Sequence, residues 1–250
     1  MHNKQKIYAL DFDGVICDSA VETGITGWKV AHQLWPEMSE DTPSEMIDLF
    51  RQVRPVMETG YEAILIMRLL FKGVSAQTLL DDFANSITQL INHEQLAISQ
   101  LKILFGETRD HWINHNLNEW VEMNPLFDGF AEKIKLIDAE QCYIITTKQE
   151  RFVSQILNAN NIPFPAERIF GLDRKMSKPQ ILSRLIKSHP EHIILFVEDR
   201  LPTLVNVADD EQLGKVKLFF ANWGYNTQHD KSAVTKLPIT VINLSDFSAL

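Results

Sequence analysis

Short uninterrupted apolar runs recur along the chain at KIYAL, CYIIT, HIILFV, KVKLFFA and ITVINL. Runs of this length without alternation suit strands buried on both faces of a parallel sheet. Between most of them, stretches such as RFVSQILNANNI and QILSRLIKSH space their apolar residues at helical intervals. The alternation predicts an α/β fold, a mostly parallel sheet covered by helices. ERIFGL adds a candidate short strand.

The rhythm breaks from Ser19 to about Asn124, where helical patterns follow one another with few convincing strands. SAVE at Ser19 and TPSE at Thr42 both fit a capping box, the second with Pro at the first helical position. Further helices are expected in YEAILIMRLLF, AQTLLDDFANSITQLI, EQLAISQLKILF and TRDHWINHNLNEWVEM. A wholly helical block after the first strand reads as an inserted domain over residues 19–122, within a core formed by 1–18 and 123–250. NPLFDGF supplies Pro, Asp and Gly for the returning crossing.

The formal charge of −9 and the pI near 5.4 speak against an unspecific nucleic-acid partner. An anionic substrate therefore needs local positive groups or a metal ion. Two cysteines, Cys17 and Cys142, are too few for a disulfide framework and fit reduced thiols in a cytoplasmic protein. The opening MHNKQKIYALDFDG has an apolar run cut short by Asp11, so neither a signal peptide nor a membrane span is expected.

In open parallel sheets, ligands gather beyond the carboxyl ends of the strands. Asp11 and Asp13 follow the first run, Thr146-Thr147-Lys148 follow the second, and Glu198-Asp199 follow ILFV. Lys178, in MSKPQ, opens a helix. Each has an ordinary reading alone: a turn for DxD, a helix cap for Thr147 in TKQE, a solvated first-turn lysine in SKPQ, a strand end for Glu198-Asp199. Their conjunction at one sheet edge is more informative. Two carboxylates about 4 Å apart repel by roughly 4 kcal/mol at an effective dielectric near 20. Clustering Asp11, Asp13, Glu198 and Asp199 therefore calls for a cation, and hard oxygen ligands favour Mg²⁺. Lys178, the Thr146 hydroxyl and a helix starting near Thr147 would offer positive charge and donors to a phosphate.

DFDGVICDS, YIITTK, SKPQIL and LFVEDRLPTL resemble the four ordered motifs of the haloacid dehalogenase superfamily, and ANWGYN resembles a segment that often follows the fourth. The helical insertion resembles that superfamily's C1 cap. The likeness is nearest to the phosphoglycolate phosphatase and β-phosphoglucomutase group. It implies a Rossmannoid core, Mg²⁺ dependence and an aspartyl-phosphate intermediate. On that resemblance Asp11 is the nucleophile, and Asp13 the acid and then base. Lys178 orients Asp11. Thr146, with backbone donors around Phe12, Gly14 and Thr147, holds the phosphoryl group. Asp11, Asp199, the Asp13 carbonyl and Glu198 form the metal site. Dehalogenases of the superfamily lack the second acid, so Asp13 favours phosphate-ester chemistry over dehalogenation. No cap lysine can be assigned to a Schiff base, which disfavours a phosphonatase.

Two departures stand out. The fourth motif reads Glu198-Asp199 where Gly-Asp is frequent, and Thr203 occupies a position where another acid often stands. The expected function is a Mg²⁺-dependent phosphatase acting on a small phosphorylated metabolite, with no nucleic-acid or membrane partner. The alternatives are a phosphomutase, or a catalytically weak phosphate-binding protein on the same scaffold. Substrate choice is expected from the cap, which opens and closes over the core. Arg54, Glu58 and Tyr61 in RQVRPVMETGYE are candidates for it, against the plainer reading of an exposed turn. His111 and His115 share a helix face without an evident third ligand. Trp28, Trp35, Trp112 and Trp120 read as packing residues.

Overall fold

The computed structural model describes residues 6–247, so the first five residues of the opening segment, on which the leader reading partly rests, lie outside the described residues. The chain divides into two compact units, one formed by residues up to 18 and from 125 onward, the other by Ser19–Asn124.

The first unit is built on a six-stranded parallel sheet: β1 (Lys6–Leu10), β2 (Cys142–Ile145), β3 (Ile169–Phe170), β4 (Ile193–Glu198), β5 (Lys217–Ala221) and β6 (Thr240–Ile242). Their order across the sheet is β3-β2-β1-β4-β5-β6. All five pairings are parallel, with Ile7 opposite Ile194 and Ala9 opposite Phe196 at the centre. Parallel strands need crossovers, and α9 (Glu150–Ala159), α10 (Lys178–Ser188), α11 (Leu201–Ala208) and α12 (Gln228–Ala233) supply them. Two further helices, α8 (Phe130–Leu136) and α13 (Leu244–Phe247), complete this unit. One apolar cluster joins Ile7, Ala9, Phe196 and Phe220 of the sheet to Leu182, Leu185 and Leu204 of α10 and α11. The intervening Leu10, Leu195 and Val197 are buried too, which is why the strand sequences are apolar on both faces.

The second unit is helical: α1 (Ala20–Leu34), α2 (Ser44–Val53), α3 (Glu62–Phe71), α4 (Ala76–Asp81), α5 (Phe83–His93), α6 (Ile98–His115) and α7 (Leu117–Glu122). Its core gathers Trp28, Trp35, Phe50, Ile64, Leu65, Met67 and Phe105. With Trp112 and Trp120 also buried, the four tryptophans are packing residues, as their sequence context indicates.

Several boundaries differ from those read in the sequence. Gly106 does not divide EQLAISQLKILF from TRDHWINH, and α6 runs straight through it. A helical Gly costs only about 1 kcal/mol relative to Ala, and Leu101, Phe105, Arg109 and Trp112 are buried on both sides of it. Conversely AQTLLDDFANSITQLI breaks at Asp82, which leaves helical dihedrals (φ −143°, ψ 48°) to start α5. TPSE starts its helix one residue later than expected, at Ser44, with Pro43 as the cap.

SAVE forms no capping box, because its Glu22 is committed elsewhere. The fully buried Glu22 carboxylate accepts from Arg109 Nε and Nη2, each at 2.7 Å, from Thr26 Oγ1 at 2.7 Å and from Trp120 Nε1 at 3.1 Å. A bidentate guanidinium with two neutral donors satisfies a charge that burial would otherwise make costly. The network ties α1, α6 and α7 together. Among the described residues, no helix is long and apolar enough to cross a membrane.

Candidate active site

The chain order of the sheet reverses between β1 and β4, and a crevice at the carboxyl ends of the strands is expected there. Asp11 stands one residue beyond β1, its amide still donating to Val197 O at 3.0 Å. Glu198 is the last residue of β4 and Asp199 the next. All three are buried, and each offers a carboxylate oxygen within 4.8 Å of the others.

The loop after Asp11 is closed by its own backbone. Phe12 O accepts from both the Ile16 and Cys17 amides at 2.9 Å, and the Gly14 amide donates to Cys17 O at 2.9 Å. The Gly14 amide is thus engaged within the loop. Gly14 is needed for shape. Its φ is +88°, and a Cβ there would lie 2.0 Å from Asp199 Oδ2.

Lys178 opens α10 behind a complete capping box, in which Ser177 Oγ accepts from the Gln180 amide and Gln180 Oε1 from the Ser177 amide. This anchors the lysine so that Nζ lies 3.0 Å from Asp11 Oδ1 and 2.6 Å from Glu198 Oε2. Burial pulls the Lys178 ammonium down, but the two carboxylates outweigh it and hold its pKa above the usual lysine value. Burial likewise pushes Glu198 up, yet Lys178 and the Arg200 amide, 3.0 Å from Oε1, bring it below the ordinary carboxylate range. Asp11 is pushed up to about 7, by burial first and Glu198 second, against the opposing pull of Lys178. One ammonium does not offset two buried acids.

Asp13 takes a different partner. Its Oδ1 accepts from Lys148 Nζ at 2.9 Å, and the Lys148 side chain is almost wholly buried. The buried Thr146 Oγ1 accepts from the Lys148 amide at 3.0 Å, which turns the chain, and Thr147 is exposed. The helix expected near Thr147 therefore starts at Glu150, and TKQE is no capping box. Glu150 instead reaches the Gly171 amide and Arg174, while Asp173 accepts from the Glu150 amide.

The loop after β5 braces the acids. The Tyr225 amide donates to Asp199 Oδ2 at 2.6 Å, and its phenol donates to Asp18 Oδ1 at 2.7 Å. Trp223 Nε1 donates to Val15 O at 3.2 Å. A Cβ on Gly224 would stand 2.3 Å from both Asp199 Cβ and Gly14 O, so only Gly permits this approach. No local pattern assigns a role to Tyr225 or Lys148, although they lie within ANWGYN and TTK. Thr203 lies half-buried on α11, and Glu198 supplies the third acid.

Arg54, Glu58 and Tyr61 belong to the helical unit. Arg54 is buried in a 3-10 turn and donates from Nη1 to Met57 O at 3.3 Å, whereas Glu58 is exposed. Tyr61 is half-buried under the Lys102 ammonium, 5.4 Å from the ring centroid, and burial raises its phenol's pKa. His111 and His115 are exposed on the wall of a cleft of about 590 Å³ shared with Lys29, His32, Trp112 and Glu119. Among the described residues, Asp11, Glu198 and Asp199 form the one group of three side chains close enough to share a metal ion.

Those three suit a divalent cation on their own chemistry. The donors are all carboxylate oxygens, with no thiolate or imidazole, a set that suits a hard cation. The raised pKa of Asp11 also marks a place where more positive charge would be stabilising. Cys142, buried at the start of β2 with its thiol pushed up to about 12, is unsuited to nucleophilic chemistry.

No protein-family model matches the chain, and no curated protein sequence does. Solved structures do. A predicted phosphatase from Clostridium acetobutylicum matches at a TM-score of 0.56 and 14% identity, over 98% of this chain and 97% of its own. A predicted phosphoglycolate phosphatase from Haemophilus somnus matches at 0.59 and 13%, over 99% and 98%. A haloacid dehalogenase-like protein of unknown function from Agrobacterium tumefaciens matches at 0.53 and 12%, over 96% and 93%. At such low identity the likeness establishes a shared fold, and the expected Rossmannoid α/β architecture is the one observed.

Proposed function

We propose that this protein is a Mg²⁺-dependent phosphatase of the haloacid dehalogenase type, hydrolysing a small phosphate monoester through an aspartyl phosphate on Asp11. The observation that carries this reading is the junction of Asp11, Glu198 and Asp199 with Lys178, whose ammonium lies within 3.0 Å of Asp11 and 2.6 Å of Glu198. The phosphatase names of several structural neighbours agree with it.

Asp11 and Asp199, with Glu198 beside them, would hold the cation. When bound, it supplies positive charge against the phosphoryl oxygens and the nucleophile. Asp11 attacks phosphorus in line, forming an O–P bond as the ester P–O bond breaks. Asp13 gives its proton to the departing alkoxide. It then takes a proton from water, whose oxygen attacks phosphorus and releases phosphate with the Asp11 carboxylate restored. Lys178 keeps Asp11 oriented and opposes the rise in its pKa, and the Thr146 hydroxyl donates to the phosphoryl group. The Lys148 amide already fills one side of the Thr146 oxygen, which leaves its proton free to point elsewhere. We assign substrate choice to the helical unit acting as a C1 cap, with Arg54 and Tyr61 as residues to test.

A phosphate-ester screen with and without Mg²⁺, run beside Asp11→Asn, tests the reading. Metal-dependent phosphate release that the substitution nearly abolishes is expected. Undiminished release by Asp11→Asn removes Asp11 as nucleophile, and isomer formation without release redirects the reading to a mutase.

A further inference from the structure

Lys148 is an ammonium buried to within 1% of its side-chain surface, and the carboxylate it meets belongs to Asp13, 135 positions away in the chain. Burying such a charge costs several kcal/mol unless it is paired, so the fold commits real stability to this contact. Its backbone is pinned on both sides. The amide donates to Thr146 Oγ1, and the carbonyl accepts from the Leu172 amide at 3.1 Å. Gly171 makes the second contact possible, since a Cβ there would lie 2.5 Å from Lys148 O. The stem of Lys148 thus starts from a fixed point, which fixes where its ammonium can reach.

The two lysines divide the acids between them. Lys178 serves Asp11 and Glu198, and Lys148 serves Asp13. Asp13 sits on a loop, is less buried than Asp11, and has to meet the leaving oxygen within hydrogen-bond reach. We propose that Lys148 is a positioning residue for Asp13, holding its carboxyl group where it can pass a proton to the departing alkoxide and then accept one from water. This inference rests on the phosphatase reading and adds to it a second lysine acting through the acid rather than on the nucleophile.

Proton donation matters for a poor leaving group and little for a good one, and the test uses that difference. Steady-state kinetics of Lys148→Met and Lys148→Arg are measured on glycerol 2-phosphate and on 4-nitrophenyl phosphate. Lys148→Met is expected to lose about 10²-fold or more in kcat/KM on the alkyl ester, the scale of general-acid catalysis, because kcat/KM reports only the steps through departure of the leaving group. On 4-nitrophenyl phosphate the loss stays under about tenfold, because nitrophenolate leaves without a proton. Inhibition by inorganic phosphate should change little, and Lys148→Arg should recover part of the loss. In an Asp13→Asn background, Lys148→Met should cost almost nothing more. If Lys148→Met does not fold, Lys148→Arg reads the same split between esters.

An equal loss of kcat/KM on both esters, weakened phosphate inhibition or full additivity with Asp13→Asn would overturn the proposal. So would retention of full activity on the alkyl ester. No phosphate release from either ester by the native protein would instead remove the functional reading, and this inference with it.

Discussion

Two buried charge clusters, one in each unit, give opposite lessons. In the helical unit Glu22 has a bidentate Arg109, a threonine hydroxyl and an indole N–H, all closing on one carboxylate. In the sheet unit Asp11 shares a single lysine with Glu198, and its pKa rises to about 7. Both clusters are buried acids facing cations. The first is balanced, and its role is to fasten three helices. The second is short of positive charge, and that shortage is what a metal ion and a phosphoryl-transfer site require. Burial of a charge alone does not separate structure from chemistry. The degree of compensation does.

The sharpest way to break this comparison is to neutralise the uncompensated acid. Asp11→Asn should lower Mg²⁺-dependent phosphate release by about 10³-fold or more, roughly 4 kcal/mol of barrier, as read by a phosphate-release assay. Next in size is the balanced cluster: Arg109→Met strands Glu22 and should cost about 3–5 kcal/mol in denaturant unfolding. Mg²⁺ should not repair that loss.

A smaller effect lies in pH. Asp11 ionises at 3.8 without its surroundings and at about 7 within them. Between those values the folded protein keeps a proton that the unfolded chain has released. The resulting stabilisation is complete below about pH 4 and is lost as the pH rises through 7. Glu198, shifted downward, works in the other direction and loses its contribution only in acid. Metal-free thermal scans should therefore show Asp11→Asn more stable than the native protein at pH 8, by on the order of 1–3 kcal/mol. Mg²⁺ should narrow the gap by stabilising the native protein. Smallest is Ser177→Ala, which breaks the capping box of α10 and should cost about 1 kcal/mol by equilibrium unfolding.

What could be read from the sequence follows the range of the interactions. The strands announce themselves because burial on both faces writes itself into consecutive residues, as in IILFVE and KLFFA. Asp11, Lys178, Glu198 and Asp199 were legible because they are chemically odd at strand ends and a helix start. The capping boxes show the limit. SKPQ forms one because Gln180 has no competing partner, whereas Glu22 in SAVE goes to Arg109 and Glu150 in TKQE to Gly171 and Arg174. The Lys148–Asp13 pair and the Tyr225 brace on Asp199 join residues 135 and 26 positions apart. No local pattern encodes such meetings, so those residues became visible only once the sheet had brought them together.

The central claim is tested most directly by chemical trapping of the phosphorylated protein. Turnover of a phosphate ester is quenched in acid, the acyl phosphate is reduced with borohydride, and the peptides are analysed by mass spectrometry. Conversion of Asp11, and of no other acid, to homoserine is the predicted result. Reduction at a different carboxylate, with Asp11 left intact, would contradict it.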